Sequence, residues 1–305
     1  YIGKIFIICL QAIMSSLDLS NTVKIVKAIG QGTYGRVYLI QEQRYPNQLL
    51  ALKVIHILGE SLKLKVQKEI QIHCQLEHPN IVKLIHSEQI LTNACLYLEY
   101  AVNGSLNHHL KTNQLGLVKS KALKYFQHLL NALNYLHGLG FVHRDIRPSN
   151  LVIDQNDCLK LTDFGMATMY KYHNEKFMLQ ISCGIESYRA PETFHFVDRI
   201  YVRPHNGVPL DVWSSGIVLV EMLTGRLPWK SVLSKKFKAY KQFVEGDSLD
   251  LNEFPALASL DSTIFVMLVE PMLQPNPDCR INLSYIMNDL NIIIGSLPID
   301  EIDQH

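Results

Sequence analysis

The apolar pattern of this chain changes its period near residue 101, and no other feature restricts the possible folds as much. Before that point the sequence reads as short strands. Val23, Ile25 and Ala28-Ile29 lead into Gly30-Gln31-Gly32-Thr33-Tyr34-Gly35, and Val37-Tyr38-Leu39-Ile40 resumes β-prone composition, which predicts a hairpin with a glycine-rich bend. Residues 50–55 (LALKVI) form a third strand. Leu62 to Leu76 carries apolar residues at 62, 66, 70 and 76 with charges between them, the spacing of an amphipathic helix. Ile81–Ile90 and Ala94–Tyr100 supply two further strands. From residue 102 the period becomes helical. Apolar residues at 122, 126, 129, 130, 133 and 136 trace one helix face that stops near Gly138 and Gly140, where a left-handed C-cap is cheapest. Val212 to Leu223 is apolar nearly all round and predicts a buried central helix.

These elements predict an α+β chain of two lobes: a small antiparallel β lobe with one helix over 21–101 and a larger, mainly helical lobe over 102–295. Residues 1–20 and 296–305 are an extension and a tail. The crevice between two such lobes is the default ligand site. With 305 residues, 48% hydrophobic and 19% charged, the chain has apolar material enough for such a core, which excludes disorder or a small disulfide scaffold. Lys and Arg number 29 against 28 Asp and Glu, so no global field exists to hold nucleic acid or an anionic membrane. Six scattered cysteines without a Cys-x-x-Cys pair argue against structural zinc and read as reduced intracellular thiols, without separating cytoplasm from nucleus. Ile5–Met14 (IFIICLQAIM) is apolar apart from Gln11, but is about half the roughly 20 residues of a bilayer span. Only Lys4 supplies positive charge before it and no Ala-x-Ala-like site follows, which disfavours a signal peptide; Met14 is a candidate start.

Gly30-x-Gly32-x-x-Gly35 alone also fits an ordinary turn. Because Arg36–Ile40 continues as a strand rather than opening a helix, the glycines suit a flap whose N–H groups cover phosphates better than a dinucleotide-binding turn. Lys53 interrupts an apolar strand; it either snorkels at a strand edge or holds phosphates, and the second role needs a carboxylate. Glu69, 16 residues on and away from the apolar stripe of its helix, is the expected ion-pair partner. The decisive run is Val142-His143-Arg144-Asp145-Ile146-Arg147-Pro148-Ser149-Asn150-Leu151-Val152-Ile153, followed by Leu161-Thr162-Asp163-Phe164-Gly165. An Asp and an Asn five residues apart, then an Asp 13 residues later before Phe-Gly, supply the oxygen ligands and the carboxylate that phosphoryl transfer needs.

With these motifs in order, residues 22–295 resemble the eukaryotic protein kinase superfamily. The serine/threonine branch and, within it, the checkpoint kinases of the CAMK-like group resemble it in Tyr135–Gly140, Asp163–Thr168 with Tyr172 beyond, Cys183-Gly184 and Asp211–Leu219. The resemblance implies ATP and Mg²⁺ as cofactors and a protein hydroxyl as acceptor. It implies that Gly30, Gly32 and Gly35 cover ATP, that Val37, Ala51 and Val152 enclose adenine, and that Lys53, oriented by Glu69, holds the α/β-phosphates. Glu99 and Ala101 would bond adenine through their backbones, with Leu98 controlling access behind it. Asp145 would be the catalytic base, with Arg147 beside it, and Asn150 and Asp163 the metal ligands. Phe164 would report active geometry, Asp211 would anchor the catalytic loop, and Glu192 would pair with Arg280.

Several positions depart from the pattern. Arg147 replaces the usual lysine, exchanging a point charge for a planar fork. Ile185 replaces the Thr or Ser whose hydroxyl bridges the aspartate and the lysine. Ser105 and Ser149 replace two carboxylates that basophilic kinases set against substrate arginines, which predicts weaker basic selection, with Glu221 keeping part of that role. Ile181 occupies the usual activation-loop acceptor position, with Ser182 and Thr168 nearby, so Arg144 is expected to serve a loop ordered without phosphorylation. His73 falls where an apolar residue usually packs and is expected to be a tolerated core histidine. Phe196–Pro204 reads as a surface insertion. The expectation is an ATP-dependent serine/threonine kinase; the alternatives are a nucleotide-binding pseudokinase scaffold, suggested by Arg147 and Ile185, and a small-molecule kinase, which would not need the peptide-presenting Ala190-Pro191-Glu192.

Overall fold

The computed structural model of the chain describes residues 23–31, 35–45, 48–173, 175–179, 183–194, 206–229, 243–244 and 251–298. Two compact units divide between Val102 and Asn103, with Pro79–Ile81 belonging to the second. Expectations for residues 1–20, Gly32, Ile181, Ser182, the insertion and most of the C-terminal tail fall outside the described residues.

Among the described residues the first unit is a sheet with one helix. Strands β1 (Val23–Gln31), β2 (Gly35–Glu42), β3 (Leu49–His56), β4 (Leu84–Ile90) and β5 (Asn93–Glu99) pair antiparallel in the order β1-β2-β3-β5-β4. The β1–β2 hairpin turns at the glycine-rich bend. A Cβ on Gly35 would lie 2.3 Å from the Val54 carbonyl oxygen of β3, so this position has no room for a side chain. Alternation assigns the two faces. Val37 lies opposite Lys53 and Leu39 opposite Ala51, on one face; Tyr38, Leu52 and Tyr97 line up across the other.

Helix α1 (Glu60–His73) ends one turn sooner than its apolar spacing predicts, and its buried stripe is Val66, Glu69, Ile72 and His73. Glu69 therefore sits within the buried stripe, not beside it as the sequence suggests. A carboxylate is tolerated there because Lys53 reaches it from β3: Nζ lies 2.7 Å from Oε1. His73 is a buried core histidine whose Nε2 donates to the Val82 carbonyl at 2.8 Å.

The second unit is built on helices. α2 (Leu106–Thr112) and α3 (Lys119–Gly138) precede the short strands β6 (Phe141–Val142), β7 (Leu151–Ile153), β8 (Leu159–Leu161) and β9 (Thr168–Met169). α4 (Gly207–Thr224), α5 (Ser262–Met272, with a π turn over Phe265–Val269) and α6 (Leu283–Gly295) follow. α3 buries Leu123, Phe126, Leu129, Leu130, Leu133 and Leu136 completely and packs against α4 and α6. The reversal after α3 is made by Gly140 (φ 86°), not Gly138, and a Cβ there would lie 2.3 Å from the Lys171 carbonyl oxygen. α4 is the one described helix long and apolar enough to cross a membrane, yet 72% of it is buried inside the protein, as a core helix is. The tilted ring pair Trp213–Trp229 and the edge contact of Trp229 with Phe254 fill the space beside it.

Candidate active site

In the first unit the sequence-predicted residues share one face. Val37, Ala51 and Lys53 lie on the same side of β2 and β3, and Leu98 stands opposite Ala51 on β5. Lys53 and Glu69 are largely buried, with 13% and 6% of their side chains exposed, so their attraction acts in a medium of reduced dielectric. Gly30 pairs with Val37 at the end of β1, beside an irregularity in the ladder. Glu99 donates its backbone N–H to Lys83 O (2.9 Å) and accepts the Lys83 N–H on Oε2 (3.2 Å), which fixes the start of the segment leading to Ala101.

In the second unit the loop between β6 and β7 is held by one buried carboxylate. Asp211, on α4, has no solvent exposure. Its Oδ2 accepts from His137 Nε2 (2.8 Å) and the His143 N–H (2.9 Å), and its Oδ1 from the Arg144 N–H (2.8 Å). Burial pushes its pKa up, but the His137 hydrogen bond and charge, with the loop amides, outweigh that and hold it below the ordinary carboxylate value. Arg144 adopts φ 68°, a conformation non-glycine residues enter only under constraint, and the two amide bonds supply that constraint. His143 continues the scaffold: its Nε2 donates to Thr162 O (3.1 Å) and its Nδ1 accepts the Asp145 N–H (3.3 Å), which fixes one tautomer.

Asp145, Arg147 and Asn150 converge on this frame. Asn150 Nδ2 lies 2.8 Å from both the backbone oxygen and Oδ2 of Asp145, and Arg147 Nε donates to the same Oδ2 at 3.2 Å. Oδ1 is left as the carboxylate oxygen without a hydrogen bond among the described residues. Asn150 O accepts the Thr162 N–H (3.0 Å), which sets the residue before Asp163 alongside the loop. Asp163 itself has φ 66° and opens the turn containing buried Phe164. With its amide protons spent on Asp145, Asn150 offers an oxygen, and Asp163 a carboxylate. Hard oxygen donors of this kind fit Mg²⁺. Val152, in β7, pairs with Lys160 and bridges Ser105.

The segment beyond Asp163 is tied to the same frame. Arg144 Nε donates to Met166 O (2.8 Å). Ile185 is 48% exposed, and an isoleucine cannot make the hydroxyl bridge of the usual pattern. The Tyr188 hydroxyl donates to Glu221 Oε2 (2.7 Å), and burial raises the Glu221 pKa. Glu192 meets Arg280 in a two-pronged pair at 2.8 and 3.0 Å. Three features had no distinct sequence signal: the direct Arg147–Asp145 contact, the His137 bond to Asp211, and Ser105 as the N-cap of α2, its Oγ accepting the His108 N–H. Only the position of His137 in the last turn of α3, just before the loop, could have hinted at the second.

Residues 23–290 match the protein kinase domain family. The chain is 35% identical over 238 residues to serine/threonine-protein kinase chk-1 of Caenorhabditis briggsae, covering 77% of this chain and 47% of that protein. It is 31% identical to serine/threonine-protein kinase grp of Drosophila melanogaster (85% and 48% covered) and 30% identical to CBL-interacting protein kinase 10 of Oryza sativa subsp. japonica (94% and 62%). The chain thus spans about half the length of the two animal kinases. A match across nearly the whole described chain, with relatives of this identity that are serine/threonine kinases, means that the chain belongs to the protein kinase domain family.

Proposed function

We propose that the chain is a protein serine/threonine kinase that transfers the γ-phosphoryl group of ATP to a protein hydroxyl. The observation that carries this reading is the state of Asp145: Oδ2 is occupied by Asn150 and Arg147, and Oδ1 is left to accept a proton. As the acceptor oxygen bonds to the γ-phosphorus, its proton passes to Asp145 Oδ1, the bond to the β–γ bridging oxygen breaks, and ADP leaves. Lys53, fixed by Glu69, has the role of holding the α/β-phosphates; Gly30, Gly32 and Gly35 cover them. Val37, Ala51 and Val152 receive adenine, and the backbones of Glu99 and Ala101 bond its edge. Mg²⁺, when bound, neutralises the charge that develops on the phosphates, and Asn150 and Asp163 are the residues to hold it.

Arg147 has a second consequence. Where a lysine would reach out as a point charge, the arginine fork is engaged on Asp145, so γ-phosphate positioning requires it to exchange partners. Among the described residues Ser105 is spent as a helix cap and Glu221 accepts from Tyr188, which supports weak selection of upstream arginines. The five described cysteines are free thiols, which supports a reducing compartment.

The test is labelled γ-phosphate incorporation into a degenerate Ser/Thr/Tyr peptide library with Mg²⁺, comparing wild type with Asp145→Ala. Labelling of Ser/Thr peptides by the wild type, reduced by at least about 10³-fold in the variant, is the expected result. Equal labelling by both would refute the assignment of Asp145. No labelling by either, with ATP still raising the melting temperature, would make the chain a scaffold.

A further inference from the structure

Tyr170, on the segment beyond Asp163, has no part in the chemistry above, yet its side chain turns inward and is buried. A phenol taken out of water needs a partner for its hydroxyl. Here the hydroxyl donates to His137 O at 3.1 Å, in the last turn of α3, and the two rings meet edge to face with centroids 6.2 Å apart. The backbone is fixed as well. The N–H groups of Tyr170 and Lys171 both donate to Gly140 O (2.9 and 3.2 Å), and Tyr170 O accepts the Phe177 N–H (2.7 Å). Between these two ties, β10 (Lys171–Tyr172) and β11 (Glu175–Lys176) pair as a small hairpin.

Two routes lead from this anchor to Asp145. The first runs through His137, whose carbonyl holds Tyr170 while its ring holds Asp211 Oδ2; Asp211 in turn accepts the amides of His143 and Arg144, the two residues before Asp145. The second runs through Val142, which directly precedes His143 and forms one buried cluster with Tyr170 and Leu179, packed against Val208 of α4. Burial and, after it, the Asp211 charge raise the Tyr170 pKa, so the hydroxyl lies within the field of that carboxylate and stays a donor. We propose that Tyr170 is a positioning residue whose hydroxyl, anchored on His137, holds the loop that carries Asp145 in the geometry of phosphoryl transfer. The chemistry of this proposal rests on the kinase reading above; its geometry does not.

Tyr170→Phe removes the hydroxyl and keeps the ring. In the full chain, kcat for peptide phosphorylation should fall about 3–10-fold with KM for ATP unchanged, while the melting temperature falls by no more than about 4 °C. Tyr170→4-aminophenylalanine, whose amine also donates, should restore kcat to within about twofold of wild type. Tyr172→Phe, at an exposed tyrosine of the hairpin, should leave kcat unchanged. A second readout needs no activity: hydrogen exchange of the His143 and Arg144 amides should quicken at least about threefold in Tyr170→Phe, with the amides of α6 unchanged. If the wild type phosphorylates no peptide, the kinase reading fails and the exchange alone decides the proposal. Unchanged exchange at His143 and Arg144, or a wild-type kcat with only KM or the melting temperature moved, would show a merely structural tyrosine and overturn it.

Discussion

Removing one side of the Glu192–Arg280 pair should be among the most damaging single changes available in the second unit. The Arg280 side chain is wholly buried and that of Glu192 is 13% exposed. Besides its two bonds to Glu192, the guanidinium donates to the carbonyls of Pro209 (2.7 Å), Gln274 (3.0 Å) and Pro275 (3.3 Å), and lies 5.1 Å from the centre of the Trp213 ring. Glu192→Ala leaves the charge buried but still bonded to three carbonyls, so the loss should be about 3 kcal/mol, the lower end for a broken buried pair. Arg280→Ala strands those carbonyls and the carboxylate together and empties the space under Trp213, so about 5 kcal/mol is expected. For a domain near this size about 3 kcal/mol lowers the melting temperature by roughly 6–12 °C. Urea unfolding of both single variants and of Glu192→Leu/Arg280→Met closes the comparison. Because the double change removes both charges at once, its cost should fall short of the summed single changes by at least about 2 kcal/mol. A Glu192→Ala loss below about 1 kcal/mol, or strict additivity, would refute the reasoning.

Two further predictions concern pH and backbone. Asp157, in the turn between β7 and β8, is bonded by Lys124 (2.7 Å), Tyr125 and Lys121 (3.2 Å). Burial pushes its pKa up, but these donors outweigh it and bring the value down to about 2. A depressed folded-state pKa stabilises the native state above the unfolded value of about 3.9 and ceases to do so as pH falls toward 2. The stability gap between wild type and Asp157→Asn should therefore narrow between about pH 6 and pH 2.5 in denaturant titrations, and a constant gap would contradict it. Gly140→Ala should cost about 2–4 kcal/mol, through positive φ and the clash with Lys171 O, whereas Gly138→Ala, whose Cβ meets nothing within 4 Å, should be neutral or stabilising by up to about 1 kcal/mol. Thermal unfolding of the two variants side by side checks the contrast.

What was legible in the sequence was whatever depends on neighbours in the chain. The alternation in Val37–Ile40 and Ala51–Ile55 located β2 and β3 and which residues share a face with Lys53, and the spacing through Leu136 located α3. Local signals failed where a distant partner sets the outcome. Glu69 was expected to pair with Lys53, as it does, but its place within the buried stripe did not show in the helix spacing, and only Lys53, on another element, makes that burial tolerable. The reversal after α3 was assignable to either glycine until Lys171 O approached Gly140 alone. The Glu192–Arg280 pair bridges 88 positions, and only the family resemblance could foresee it. Arg147 was recognised as a departure from the pattern, but its engagement on Asp145 follows from a loop conformation that composition does not encode.

The carboxylate of Asp211 gives this lobe an uncommon distribution of mutational tolerance. The same two oxygens seal a polar hole in an otherwise apolar core helix and hold the amides of the loop that carries Asp145. Lesions at this position cannot be sorted into those that lower the amount of protein and those that lower its turnover. In a variant library scored separately for cellular abundance and for phosphorylation, most surface changes near Asp145 should move one score alone. Substitutions at Asp211 should fall on the diagonal, losing both together.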